Sequence, residues 1–142
     1  MKLKLIALFL LCMGFLNAQN MVVGTSTLTG DAAVGLSEIA VIVNVGDTLS
    51  KCYSGDGKLV LNLTEHADTI LAQSENEWLN VTVGIRKGIY KAGQQVLVNR
   101  KMIVKMMKDS NDKAFIRMRN SALSLTTLQT YNITVIDIVD GI

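Results

Sequence analysis

Apolar and polar residues alternate along most of the chain with a period near two. From Glu38 to Val45, Ile39, Val41, Val43 and Val45 share one face. From Lys58 to Thr64, Leu59, Leu61 and Leu63 do the same. Between Trp78 and Lys87, Leu79, Val81, Val83 and Ile85 alternate with Asn80, Thr82 and Arg86. Between Gln95 and Met107, Val96, Val98, Met102, Val104 and Met106 fall together. Ala114, Ile116 and Met118 follow, with Phe115, Arg117 and Arg119 opposite, and Tyr131, Ile133 and Val135 close the pattern. This periodicity predicts antiparallel strands with one face in a core.

Turn-forming residues separate the runs: Gly46-Asp47, Ser54-Gly55-Asp56-Gly57, Lys87-Gly88, Ala92-Gly93 and Asp109-Ser110-Asn111-Asp112. The spacing predicts an all-β fold, an antiparallel β-sandwich (jelly-roll or Ig-like) of about seven to nine strands. Glu65 to Gln73 reads as a turn and a short strand, and Asn120 to Thr130 as a strand because of its Ser/Thr content. Gln95 to Lys108 is too long for one ordinary strand. Arg100 and Lys101 interrupt its apolar pattern, which predicts a bulge or a crossing between sheets there. Ile133 to Ile142 reads as an apolar terminal strand, either the last of its own sheet or one that completes a neighbour's.

Composition narrows the class. The chain has 142 residues, 49% of them hydrophobic and 18% charged, and no proline. These values exclude a charge-driven disordered chain, a collagen-like repeat and a disulfide-dense miniprotein. The one long apolar run lies at the N-terminus. Lys2 and Lys4 precede an apolar stretch from Leu5 to Leu16, and Ala18 is a small residue suited to cleavage. Met1 to Gln19 therefore reads as a signal peptide. About 12 apolar residues are too few to cross a bilayer core of roughly 30 Å as a helix. The ending Asn17-Ala18-Gln19 resembles signal-peptide endings common in the Bacteroidetes. The expectation is export to the periplasm, cell surface or medium, with residues 20–142 as a single β-sandwich domain. Cys52 is then the one cysteine left in the mature chain, expected to be buried or, failing that, to pair between chains.

Charge is arranged in blocks. Residues 19–85 carry two basic against eight acidic residues, a net of −6; residues 86–119 carry ten basic against two acidic, a net of +8. Acidic strands paired beside basic ones would cancel these fields. Alternatively, Lys101, Lys105, Lys113, Arg117 and Arg119 form a basic patch. Such a patch suits the acidic face of another copy in a homo-oligomer, an anionic glycan or another surface polymer. Nucleic acid is not expected as a partner, given export and the few aromatic residues among these bases.

Catalytic chemistry is thin. His66 is the single histidine, and neither it nor Cys52 lies in a recognisable nucleophile motif. No cofactor or metal motif is present: Asp109-Ser110-Asn111-Asp112 has alternate oxygen ligands, but Lys113 stands where another is needed, so a turn is expected. Strict alternation places Trp78 outward as a sugar-stacking platform or interface anchor; at the strand's end it tucks over the core rim instead. Asn62, Asn80 and Asn132 begin N-x-T sequons. Thr48 and Thr69 lie in Asp-Thr-apolar triplets that resemble Bacteroidetes O-glycosylation sites. The resulting expectation is an exported, non-catalytic structural or interaction module, adhesin-like or filament-forming. The alternative is a carbohydrate- or ligand-binding module, with Trp78 and the basic patch as contacts.

Overall fold

The computed structural model describes residues 21–26, 30–46, 49–64 and 78–140. The segment Met1–Gln19, expected to be a signal peptide, and the Glu65–Gln73 segment lie outside the described residues. Ten strands and one α-helix occur among those described: β1 (Met21–Ser26), β2 (Gly30–Gly35), β3 (Ile39–Asn44), β4 (Ser50–Ser54), β5 (Leu59–Leu63), β6 (Trp78–Thr82), β7 (Gln95–Asn99), β8 (Ile103–Lys108), β9 (Lys113–Met118), β10 (Leu125–Thr130) and α1 (Tyr131–Asp140). They form a seven-stranded sheet in the order β2-β1-β5-β4-β3-β7-β6 and a three-stranded sheet in the order β10-β9-β8. Every strand pairing is antiparallel. The fold is thus the expected all-β sandwich, with more strands than the seven to nine anticipated. The additions include the β1–β2 hairpin and β4, whose short sequences lack a clean alternation.

The break anticipated at Arg100 and Lys101 is where the chain changes sheets. A single 3-10 turn, Arg100–Met102, ends β7 in the large sheet and starts β8 in the small one. Asn99 makes the corner. Its side-chain oxygen accepts from the Lys101 N–H at 3.0 Å, and its Nδ2 donates to the Ile39 carbonyl at 2.9 Å. Asn120 repeats the device before the turn Ser121–Leu123, accepting from the Ala122 N–H at 3.0 Å. In each case a side-chain oxygen satisfies a backbone N–H that a short helix leaves without an internal partner.

Two apolar clusters flank the large sheet. Val41, Val43, Leu79, Val81, Val96 and Val98 face the small sheet's Ile116, Met118 and Leu125. Ile39, Ile42, Cys52, Leu61, Leu63, Trp78 and Leu97 form a second cluster, against which Ala32 and Val34 of β2 pack. All six residues of β3 are buried. The expectation of one buried face per strand is therefore corrected for the middle of this sheet, where both faces are covered.

The sheets join at their edges. Val83 bridges to Thr127, and the Gly84 N–H donates to the Thr126 carbonyl at 2.9 Å. A Cβ at Gly84 would lie 2.6 Å from the Thr127 carbonyl oxygen, so only glycine permits this approach.

The last segment corrects a second expectation. Tyr131–Asp140 is α1, not a strand. The β10 ladder ends with Thr130 opposite Lys113, and the Tyr131 N–H donates to the Asp112 carbonyl in the β8–β9 turn at 2.9 Å. The Thr134 hydroxyl then donates to the Thr130 carbonyl one turn back. The helix packs against β6, β8, β9 and β10, strands of both sheets. This tertiary position overrides the strand preference of its Ile, Val and Thr residues. A donated C-terminal strand is thereby removed from consideration.

Candidate nucleic-acid interface

The small sheet has a simple binary pattern. On β9, Ala114, Ile116 and Met118 are buried, so Lys113, Phe115, Arg117 and Arg119 take the outer side. On β8, Ile103 and Met106 pack on the core, and a register shift between Ile103 and Lys105 sets Lys105 directly opposite Arg117. Met107 lies opposite Phe115, and Phe115 lies opposite Thr126 of β10. The row Met107–Phe115–Thr126 thus crosses the middle of the outer face, with cations along the strands on both sides of it.

Each basic residue of the expected patch can now be placed. Lys105, Arg117 and Arg119 are exposed on this face, and none has an ion-pair partner among the described residues. Lys113 is half-buried, and its ammonium donates to the Leu128 carbonyl at 2.8 Å. Lys101 is exposed on the 3-10 turn, close to Arg119, whose N–H donates to the Met102 carbonyl at 3.0 Å. Lys87 was not among the expected contacts. It arrives from the loop after β6, with its ammonium 5.5 Å from the centroid of the Phe115 ring, a cation–π distance. Phe115 had been placed opposite the core by alternation. Its pairing with Lys87, more than two dozen residues away, had no signal in local sequence.

The outward, contact reading of Trp78 is corrected in favour of the inward one: its side chain is buried, at 2% exposure, in the cluster on the far face of the large sheet, and its backbone carbonyl accepts from the Arg100 Nε at 3.3 Å. Alternation did point it away from Leu79 and Val81, but that direction leads into a second core. Its indole Nε1 has no hydrogen-bond partner among the described residues.

Field cancellation by neighbouring acidic strands does not occur within this sheet. The central strand β9 pairs on one side with β8 and on the other with β10, which carries no charged residue. The nearby carboxylates are used locally. Asp109 accepts from the backbone N–H groups of Asn111 and Lys113 at 2.9 and 2.8 Å, making the expected hairpin turn. Asp112, at φ 68°, pairs with Lys108 at 2.6 Å. That hydrogen bond and charge hold the Lys108 ammonium above its ordinary pKa. At the other hairpin, hydrogen bonds from the Ser54 hydroxyl and the Lys58 N–H hold Asp56 below the usual carboxylate range. Cys52 is fully buried on β4, as expected. Of the sequon asparagines, Asn62 is half-buried on β5, while Asn80 on β6 and Asn132 on α1 are exposed. Thr48, Thr69 and His66 lie outside the described residues.

No protein-family model matches the chain, and no curated protein matches its sequence. Among solved structures it is similar to the LytTr DNA-binding domain of a putative methyl-accepting/DNA response regulator from Bacillus cereus. The TM-score is 0.56 and the identity 12%, over 84% of this chain and 96% of that one. At this identity the two share a fold. The fold serves DNA binding in that protein. Against this finding, the expectations of an adhesin-like or filament-forming structural module and of a carbohydrate- or ligand-binding module are corrected. The exclusion of nucleic acid is corrected with them.

Proposed function

We propose that this chain binds DNA through the outer face of the three-stranded sheet, with Lys105, Lys113, Arg117 and Arg119 contacting phosphates. The observation that carries the reading is the pairing of Lys105 directly across from Arg117, both exposed and neither neutralised by an acid among the described residues. Like charges set opposite each other across strands destabilise a sheet. A polyanion relieves that repulsion and gains entropy by releasing its counterions. The fold shared with a DNA-binding domain supports the same reading. The binding is non-catalytic, since phosphate contacts need only fixed cations at suitable spacing.

Fluorescence anisotropy with labelled oligonucleotides tests this. Four phosphate contacts predict a loss of affinity of about 100-fold between about 50 and 200 mM salt. The Lys105→Glu/Arg117→Glu double variant should abolish binding at the lower salt. Absence of binding at low salt, or a double variant that binds as well as the parent, overturns the proposal.

A further inference from the structure

Beyond that reading, and resting on it, we infer that the preferred ligand is single-stranded nucleic acid, one of whose bases stacks on Phe115. In a duplex the base edges lie at the floor of grooves, about 8.5 Å deep in the major groove, and are reached by an inserted helix or a two-stranded ribbon. The outer face here is a three-stranded sheet with its one aromatic ring half-buried at the centre, in the row Met107–Phe115–Thr126. Such a ring does not reach a groove floor. It does meet an unpaired base laid flat on the sheet.

The surroundings suit an extended strand. Lys113 and Arg117 lie two residues to either side of Phe115 on β9, a step of about 6.6 Å each way. Arg119 continues the line, and Lys105 widens it on β8. Phosphates on both sides of a stacked base therefore meet cations without leaving the face. Lys87 completes the site. Its ammonium over the ring holds the place a base takes. On binding, the cation–π contact is exchanged for base stacking, and Lys87 turns to a phosphate. Stacking of this kind tolerates any base, so the ligand class is a single strand of little sequence preference.

The test compares a labelled single-stranded oligonucleotide with the duplex of the same sequence. It uses the parent protein, Phe115→Leu, Phe115→Tyr and Lys87→Gln, each checked for the parent's circular dichroism. The expected result has three parts. The single strand binds the parent about tenfold or more tightly than the duplex. Phe115→Leu loses about tenfold for the single strand alone, while Phe115→Tyr retains binding. Lys87→Gln lowers the salt slope by about one and keeps the preference. Equal binding of both forms, with Phe115→Leu unchanged, overturns this inference and leaves DNA binding standing. No binding of either form overturns both. Phe115-dependent binding to phosphatidylglycerol vesicles without oligonucleotide binding also overturns both, and makes the face a lipid-surface contact.

Discussion

Tyr90 and Trp78 are among the largest fully buried side chains, and their polar atoms have opposite fates. The Tyr90 hydroxyl donates to the Leu123 carbonyl at 2.6 Å inside the core. Trp78 buries its indole N–H without a partner among the described residues. Tyr90→Phe should cost about 1–2 kcal/mol in urea denaturation, because it strands a buried carbonyl. Burial, and secondarily the neighbouring Tyr53, push the Tyr90 pKa well above the ordinary 10.0. A phenol whose folded pKa is raised favours the protonated folded state. Its contribution is complete below pH 10 and is lost as pH rises beyond it. Stability of the parent should fall above about pH 10 more steeply than that of Tyr90→Phe, as thermal melts across alkaline pH would show.

Among the elements, the corners and junctions are held by a few specific groups. Asn99 serves both β7 and the 3-10 turn, with two hydrogen bonds from a side chain only 3% exposed. Asn99→Ala should destabilise by about 2–3 kcal/mol, since a carbonyl and an N–H both lose partners. The break itself was legible at Arg100 and Lys101, because charge interrupts an apolar alternation. The asparagine's part was not, because its second partner, Ile39, is distant in sequence. Gly84 decides whether the two sheets stay in register at Val83–Thr127. Gly84→Ala should cost about 1–3 kcal/mol by overpacking, whereas Gly46→Ala, with no atom within 4 Å of the new Cβ, should be close to neutral. Equal melting temperatures for the two variants would refute the junction's importance.

For the molecule as a whole, the small sheet concentrates cations that the sequence spreads over residues 86–119. Lys105→Gln/Arg117→Gln should reduce the slope of log affinity against log salt by about 1.8, at about 0.9 per phosphate contact. An unchanged slope would refute the proposed phosphate contacts of these two cations.

Sequence alone determined the β class, most strand positions, the two hairpin turns at Ser54–Gly57 and Asp109–Asp112, the sheet crossing after β7, and that Lys113 and Arg117 share a face of β9. All of these follow from period-two alternation and local turn chemistry, which need only near neighbours. Tertiary structure alone decided that Trp78 is interior, that Tyr131–Asp140 is helical, and that Lys87 reaches Phe115. Alternation tells which side of a strand a residue takes, but not whether that side is later covered. Local propensity likewise yields when a segment packs across two sheets at once. Both outcomes depend on contacts between residues far apart in the chain, and those exist only once the sheets have closed on each other.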